Sequence, residues 1–304
     1  MKNSKRSFSI FVVFFILMGS WKLQAQAPLL HHGPMLECSG LPCIDVTVSG
    51  GKHLRMLLDT GNAKSILDES TAKEMGLVVE PMIGRDGKPR AGFGRAVLAG
   101  AKLSEASLGD IPVVVMDLAP YIKKDVMPSA QGSLAYTAFR DRILALDYKR
   151  HTIGVSEVQT HELPCPASCG AVTTPTFGKD GPPVVVATGF SVNGKAVSAQ
   201  IDTLFSGTML IYPTAIAKLG LEEESRSTEK KFFRYTDGGV DMIEGQAQVE
   251  GFGQTILAQR APIYFATADV HLPGGMFDAT VGHELFKHSV LTLDLHANRI
   301  WLIN

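Results

Sequence analysis

The amino-acid sequence predicts an all-β protein built from two related lobes that face each other across a cleft. Three observations lead to this prediction: an internal similarity, two similar segments at the ends of the halves, and short alternating apolar runs separated by glycine turns. The chain has 304 residues, of which 45% are hydrophobic, 30 are glycine and 16 are proline. This length and composition fit one large or two modest turn-rich domains with real cores.

The internal similarity is the strongest of these observations. Residues 55–67 and 198–210 each contain a strand-like apolar approach, an Asp-Thr pair, a hydroxyl residue six positions after the Asp, and then an apolar pair. Downstream, residues 71–77 and 214–221 each predict a short helix that ends at a glycine.

The ends of the two halves are also similar. Residues 139–153 align with residues 286–300 without a gap, and each segment predicts a strand, a polar turn that starts at an Asp, and a second strand. These matches place the two lobes at residues 36–157 and 182–304. Residues 158–181 between them are rich in Pro, Gly and Thr, which is typical of a linker.

Most of the remaining sequence consists of short alternating runs, such as residues 44–48, with glycine turns between them. Asn193-Gly194 is the residue pair most typical of a two-residue β-hairpin turn. Helical patterns are few and short. We therefore expect an all-β chain with two related lobes.

The N-terminal segment, residues 1–27, has the pattern of a signal peptide. Three basic residues among the first six precede a short apolar run at residues 8–18, and Ala25-Gln26-Ala27 is a small-x-small cleavage site. We expect export to a periplasmic or extracellular compartment. The apolar run is short for a membrane span, and an uncleaved N-terminal anchor stays as the alternative.

Four cysteines form two pairs that are close in sequence, Cys38 with Cys43 and Cys165 with Cys169. An exported chain meets an oxidising compartment, so disulfides are expected, and four cysteines allow three pairings. We favour local pairing, since each pair lies just before one lobe. Zinc is the rival interpretation, but the spacings differ from the usual two-residue knuckle and no well-spaced histidines accompany them, so no metal is predicted.

One segment carries a family resemblance. Residues 57–67, Leu-Leu-Asp-Thr-Gly-Asn-Ala-Lys-Ser-Ile-Leu, resemble the catalytic turn of retropepsin-like and pepsin-like aspartic proteases. The two closing hairpins, with the apolar glycine-containing stretch before each, resemble the second apolar loop and final strands of that fold. The resemblance implies an acid-protease fold, with two pseudo-symmetric, β-barrel-like lobes in one chain and a cleft between them. It also implies an aspartic-type endopeptidase whose catalytic residues are Asp59 and Asp202.

The chemistry of such a site needs two carboxyl groups that share one proton. Like charges about 3 Å apart do not both ionise cheaply, so the pKa of one rises; the ionised partner then activates water and the protonated partner donates to the scissile carbonyl. The supporting residues expected in the two turns are Thr60, Gly61, Ser65, Thr203 and Thr208. Because water is the nucleophile, no cofactor is implied.

The expected partner is a peptide or protein substrate in an extended conformation, paired with strand or hairpin edges. Residues 84–94 and 232–239 are the candidate flaps over the cleft, with ordinary exposed hairpins as the alternative. The charge is balanced at 29 basic and 30 acidic residues, which argues against nucleic-acid binding. Since one chain supplies both Asp-Thr turns, a monomer with an intramolecular pseudo-dimer is expected.

The second turn departs from the family pattern. Leu204 replaces the expected glycine and is acceptable only if its φ is negative, while Asn62 and Phe205 stand where a small or hydroxyl residue is usual. Three readings follow. The second lobe has a working Asp202 with an altered substrate wall, or it is a degenerate lobe in a peptide-binding protein, or only the first lobe is active, by pairing with Asp59 of a second chain.

Two other patterns have simpler explanations. His283 and His288 are five residues apart, which does not put them on one helix face, so we expect a short surface helix and not a zinc site. Asp147 and Asp294 occupy matching positions in the closing hairpins and are expected to form the turns there.

Overall fold

The structure, a computed structural model, describes residues 30–123, 130–158, 169–176, 182–235, 238–252, 255–266 and 276–303. It confirms the predicted all-β class: two barrels are joined by a sheet that runs between them. The predicted signal peptide lies outside the described residues. Within the described ranges, no helix has the length and apolar character needed to cross a membrane.

The first lobe is a closed barrel. The strands of this half of the chain are β1 (Leu30–Pro34), β2 (Leu36–Cys38), β3 (Leu41–Val48), β4 (Lys52–Asp59), β5 (Ser65–Asp68), β6 (Glu80–Ile83), β7 (Pro89–Leu103), β8 (Ala106–Met116), β9 (Gly132–Ala135), β10 (Ile143–Asp147) and β11 (Thr152–Ser156). The barrel order is β3-β4-β9-β5-β8-β7, and β7 pairs back onto β3. Strand β4 runs parallel to β9, which places the end of β4 beside the end of β9.

The second lobe repeats this arrangement. Its strands are β12 (Gly170–Thr173), β13 (Val186–Val192), β14 (Lys195–Asp202), β15 (Met209–Ile211), β16 (Lys230–Tyr235), β17 (Gly238–Gly251), β18 (Thr255–Phe265), β19 (Ala279–Gly282), β20 (Val290–Asp294) and β21 (Arg299–Ile303). The barrel order is β13-β14-β19-β15-β18-β17, with β17 paired onto β13. The parallel pairs β14–β19 and β15–β18 correspond to β4–β9 and β5–β8.

A central sheet of the order β1-β11-β10-β20-β21-β12 joins the two lobes. Its middle is the antiparallel pair β10–β20, in which Ala145 lies opposite Thr292. The two closing hairpins therefore meet at the centre of the molecule. In each hairpin the leading Asp forms the turn: Asp147 accepts the backbone N–H of Arg150 at 2.9 Å, and Asp294 accepts that of Ala297 at 2.9 Å.

In the described ranges, three short α-helices lie between the strands: α1 (Glu69–Glu74), α2 (Ala119–Lys123) and α3 (Pro213–Leu219). Single 3-10 turns occur at Ser49–Gly51, Tyr136–Phe139, Glu224–Arg226 and His283–Phe286. The predicted glycine stop is found at Gly220, which ends α3 with a φ of 67°. Gly76, with a φ of 68°, follows Met75, the residue that caps the C-terminus of α1.

One sequence expectation needs correction. The segment that begins at His283 is not a surface helix: it is one 3-10 turn in which His283, Leu285 and Phe286 are buried. The reason is tertiary packing, since the His283 ring stacks on Tyr148 from the first lobe, with 6.4 Å between ring centroids. Between the two lobes, β12 adds a strand that pairs with β21 and β13.

The core is continuous through both barrels and the central sheet. One cluster of buried side chains includes Ile44 and Leu58 of the first lobe and Ile201 and Val281 of the second. Ordering of each lobe is therefore coupled to the other through apolar contacts.

A disulfide joins Cys38 and Cys43, so β2 and β3 are tied at the start of the first lobe. Cys169 is also disulfide-bonded. Cys165 lies outside the described residues. Among the described residues, no group of three or more His, Cys, Asp and Glu side chains is arranged to hold a metal ion.

Candidate active site

The two Asp-Thr turns meet between the lobes. Asp59 is the last residue of β4 and lies beside Ala135 of the parallel strand β9. Asp202 is the last residue of β14 and lies beside Gly282 of β19. Because the parallel neighbour ends at the same level, each carboxyl group emerges at the open end of its barrel, towards the other lobe.

Thr60 and Thr203 hold the two turns together through reciprocal hydrogen bonds. The backbone N–H of Thr60 donates to Thr203 Oγ1 at 3.0 Å, and the N–H of Thr203 donates to Thr60 Oγ1 at 3.1 Å. Each hydroxyl also donates to a carbonyl of the opposite lobe, Thr60 to Ile201 at 3.0 Å and Thr203 to Leu58 at 2.5 Å. Both threonines are buried, so this satisfied network fixes the distance between the turns.

Gly61 is required by close approach. A Cβ at this position would lie 2.7 Å from each carboxylate oxygen of Asp202, which no real side chain tolerates. Neither Gly61 nor Leu204 has a positive φ, so the turn conformation itself does not demand glycine at either place. Leu204 therefore meets the requirement for a negative φ that its place in the family pattern sets. The carboxyl group of Asp202 lies directly against the first-lobe turn.

The environment favours a shared proton. Burial is the main cause that raises the pKa of Asp59 to about 8, and the negative charge of Asp202 raises it further, against hydrogen bonds from Gly61 and Asn62. Burial also raises the pKa of Asp202, against backbone hydrogen bonds from Leu204 and Phe205. Asp59 is 8% exposed and Asp202 is half-buried. Two carboxyl groups that interact electrostatically in this way titrate as a pair, with one proton held around neutral pH.

The hydroxyl residues six positions after each Asp have different partners. Ser65 Oγ accepts the backbone N–H of Ala135 at 3.0 Å and so ties β5 to β9 beneath the first turn. The Thr208 hydroxyl donates to the carbonyl of Pro262, while the Thr208 carbonyl accepts the N–H of Gly282 at 2.9 Å. Both residues therefore brace their turns, but through contacts that are not symmetric.

The two residues of the second turn that differ from the family pattern, Leu204 and Phe205, pack against apolar side chains. Leu204 is half-buried and packs against a small first-lobe cluster. Phe205 is 7% exposed and packs on two rings of its own lobe, Phe233 at 5.3 Å and Tyr264 at 6.3 Å between centroids. Asn62, its first-lobe counterpart, accepts the N–H of Lys64 at 3.1 Å.

Both candidate flaps are hairpins. The first joins β6 to β7 through residues 84–88, where the N–H of Gly84 donates to the carbonyl of Lys88 at 2.7 Å. The second joins β16 to β17, with Tyr235 opposite Gly238; residues 236–237 at its tip lie outside the described residues. The side chain of Phe232 on the second hairpin is 57% exposed.

A cavity of about 1020 Å³ lies in the first lobe and is lined by residues such as Lys64, Val97 and Arg140. Neither Asp59 nor Asp202 lines it. The candidate site is therefore defined by the geometry of the two turns and not by this cavity.

Sequence reasoning did not identify Gln200 or Thr137. The side-chain amide of Gln200 donates to the carbonyl of Gly61 at 3.1 Å, across the lobes. Thr137 Oγ1 donates to the carbonyl of Ala63 at 2.9 Å. Gln200 stands two residues before Asp202 in the repeated segment and aligns with Leu57. A polar residue in this otherwise apolar strand is the sequence feature that could have identified it.

Comparison with known proteins gives one match. A family model described as aspartyl protease matches residues 44–136, a range that contains Asp59 and ends within the first lobe. A comparison with curated proteins found no match. The family match supports an aspartyl protease and, at that coarse level, a peptidase among the hydrolases.

Proposed function

We propose, with the aspartyl protease match as the premise, that the chain is an endopeptidase in which Asp59 and Asp202 act together on one water molecule. The observation that supports this most directly is the reciprocal threonine network, which brings a second Asp-Thr turn against the first. The match itself covers only the first turn.

In the proposed reaction the pair begins with one proton. The ionised carboxylate accepts a proton from water as the water oxygen adds to the scissile carbonyl carbon, and the protonated carboxyl donates to the carbonyl oxygen. The resulting diol-like intermediate then breaks its C–N bond. The departing nitrogen takes the proton that the first carboxylate accepted from water, and one hydroxyl of the intermediate gives its proton to the other carboxylate. Water and one peptide thus become a carboxylic acid and an amine, and the pair again holds one proton. Burial of Asp59 supports this role, because it keeps a carboxyl group protonated near neutral pH.

The proposed substrate is a peptide in an extended conformation. The two hairpins contain the edge strands β6 and β16, and an extended peptide pairs its backbone with such edges. We propose action outside the cytoplasm, since residues 1–27 have a signal-peptide pattern and the Cys38–Cys43 disulfide suits an oxidising compartment. One chain supplies both turns, so the proposed active unit is the monomer.

The alternative is a degenerate lobe that binds peptide without cutting it. The sequence feature that suggests this alternative is Leu204 in place of glycine. Two observations favour a working Asp202: the negative φ of Leu204 leaves its backbone unstrained, and its side chain packs on a first-lobe cluster.

The test is hydrolysis of a peptide library by the purified protein and by Asp59→Asn and Asp202→Asn, with and without a general aspartic protease inhibitor. Asp45→Asn is a suitable control, since Asp45 pairs with Arg55 away from the turns, with 2.9 Å between the charged atoms. We expect both site variants to lose activity and the control to keep it.

Each other outcome selects another reading. Activity that survives Asp202→Asn but not Asp59→Asn, with a dimer in sedimentation, indicates pairing of two first lobes. Peptide binding without hydrolysis indicates the degenerate form. An unchanged rate in Asp59→Asn removes the proposal.

A further inference from the structure

The two sides of the interlobe contact carry different chemistry at equivalent positions. Thr60 and Thr203 are 143 positions apart, and the same offset pairs Leu57 with Gln200 and Gly61 with Leu204. On one side the Gln200 amide donates to the carbonyl of Gly61 at 3.1 Å. On the other side both positions are leucine, so no such hydrogen bond forms.

An apolar contact occupies that other side. Cys43, Leu57 and Ala130 form a buried cluster in the first lobe, and Leu204 of the second lobe packs against it. Leu57 is 1% exposed. The interlobe contact is thus a hydrogen bond on one side of the pseudo-twofold axis and the packing of Leu204 on an apolar cluster on the other.

Gly61 and Leu204 differ because the space beside them differs. At Gly61 a Cβ would lie 2.7 Å from each carboxylate oxygen of Asp202, so no side chain fits there. Leu204 has room, and its side chain is directed to the first lobe. The exchange of glycine for leucine is therefore tolerated in one turn only.

The hydroxyl groups of Thr280 and Ser133, which lie beside Gln200 and Leu57, differ in their hydrogen bonding. In strand register Gln200 lies opposite Thr280, and Leu57 lies opposite Ser133. The Thr280 hydroxyl donates to Gln200 Oε1 at 3.3 Å. Ser133 Oγ is buried and has no hydrogen-bond partner among the residues that the structure describes, as expected where leucine stands in place of glutamine.

We propose that Leu204 is a positioning residue for Asp202, and that Leu57 and Leu204 are a matched apolar replacement for the polar Gln200–Gly61 contact. The inference rests on the proposed function. The backbone N–H of Leu204 donates to Asp202 Oδ1 at 2.9 Å. Packing of the Leu204 side chain on the first lobe holds the Leu204 backbone N–H in position. That N–H in turn orients the Asp202 carboxylate. Leu204 therefore supports a functional second turn and is not a sign of a degenerate second lobe.

A double-mutant cycle tests this pairing. Leu204→Gly removes the packing of the leucine side chain on the first-lobe cluster. We expect kcat to fall about tenfold with little change in KM, because only the positioning of the Asp202 carboxylate is lost. Leu57→Gln alone puts an amide against the Leu204 side chain and should cost about as much. In the double variant the introduced glutamine side chain can donate to the backbone carbonyl at position 204 and accept from Ser133. We expect kcat to return to within about threefold of the native value.

A control and an independent readout complete the design. Leu302→Gly removes another half-buried leucine, in β21, and should lower Tm without lowering kcat. The carboxyl carbon of Asp202, followed by NMR titration, should show a raised apparent pKa in Leu204→Gly that the double variant reverses, since the Leu204 N–H lowers the pKa of Asp202.

Three results would overturn the inference: native or higher kcat in Leu204→Gly, a double variant whose loss equals the product of the two single losses, or an Asp202 titration that Leu204→Gly leaves unchanged. If the native protein shows no Asp59-dependent hydrolysis, the proposed function fails and the titration decides alone. A shift that the double variant reverses then supports the inference, and no shift overturns it.

Discussion

Replacement of Asp59 by Asn should make the protein more stable at neutral pH while it abolishes the proposed activity. Burial and the charge of Asp202 raise the pKa of Asp59 from 3.8 to about 8. A carboxyl whose pKa is raised on folding contributes stability that is fully present below its unfolded pKa and is lost as pH rises through the folded value. The window for this effect therefore runs from about pH 4 to about pH 8.

The size of the effect follows from the shift. Each pH unit inside the window changes the free energy of unfolding by about 1.4 kcal/mol for one extra proton held by the folded state. Over the roughly three units from pH 4 to pH 7 the native protein should lose about 4 kcal/mol from Asp59 alone. Asparagine does not titrate, so the variant escapes this loss.

The assay is chemical unfolding of both proteins at a series of pH values. The advantage of Asp59→Asn over the native protein should grow by about 4 kcal/mol between pH 4 and pH 7, or on the order of 10 °C in Tm. The comparison uses slopes against pH, so a constant effect of the asparagine on packing cancels.

Asp147 offers a control of opposite sign. Burial raises its pKa, but hydrogen bonds from Arg150 and the charge of Arg150 outweigh burial, and the net pKa is lowered. The stability that Asp147 contributes is present above its unfolded pKa and lost as pH falls, so Asp147→Asn should be most harmful at neutral pH. Parallel unfolding curves for Asp59→Asn and the native protein from pH 4 to pH 7 would refute the claim that Asp59 keeps its proton in the folded state.

Three further predictions concern the turns and the pair. Gly61→Ala should lower kcat/KM at least about 100-fold in peptide hydrolysis, because its Cβ overlaps Asp202 and displaces the carboxyl group; near-native activity would contradict the close approach. Thr203→Val removes the acceptor of the Thr60 N–H and the donor to Leu58, and urea unfolding should show a loss of about 2–4 kcal/mol that Thr203→Ser largely restores. The pH–rate profile should fall as pH rises through about 8, because the protonated partner then loses its proton, and a profile that stays flat to about pH 9 would contradict the shared proton.

Much of the fold was predictable because its signals are local. The alternating runs, the turn glycines and the closing hairpins are all readable within a few residues of sequence, and the all-β class follows from them. The glycine stops at Gly76 and Gly220 are local for the same reason. The expectation for the segment at His283 was wrong because nothing near it in sequence indicates Tyr148, which packs on its ring.

The candidate site divides in the same way. Asp59 and Asp202 stand out in the sequence because each Asp-Thr pair follows an apolar strand in a repeated segment. The direction of the Leu204 side chain could not be predicted, since it depends on a cluster far earlier in the chain. The burial of Phe205 under Phe233 and Tyr264 depends equally on contacts between distant strands.

The sequence by itself determined the β class, the two Asp-Thr turns and the hairpins, because turn chemistry and strand alternation act over short distances along the chain. Only the tertiary structure decided how the two turns meet. Ser133, whose hydroxyl has no hydrogen-bond partner among the described residues, lies opposite Leu57 only because β4 and β9 pair. The threonine exchange, the Gln200–Gly61 hydrogen bond and the packing of Leu204 on the first-lobe cluster all join residues of different lobes. Such contacts arise when a closed barrel presents its strand ends to a second barrel, and no local pattern in the chain encodes which side chains will then face each other.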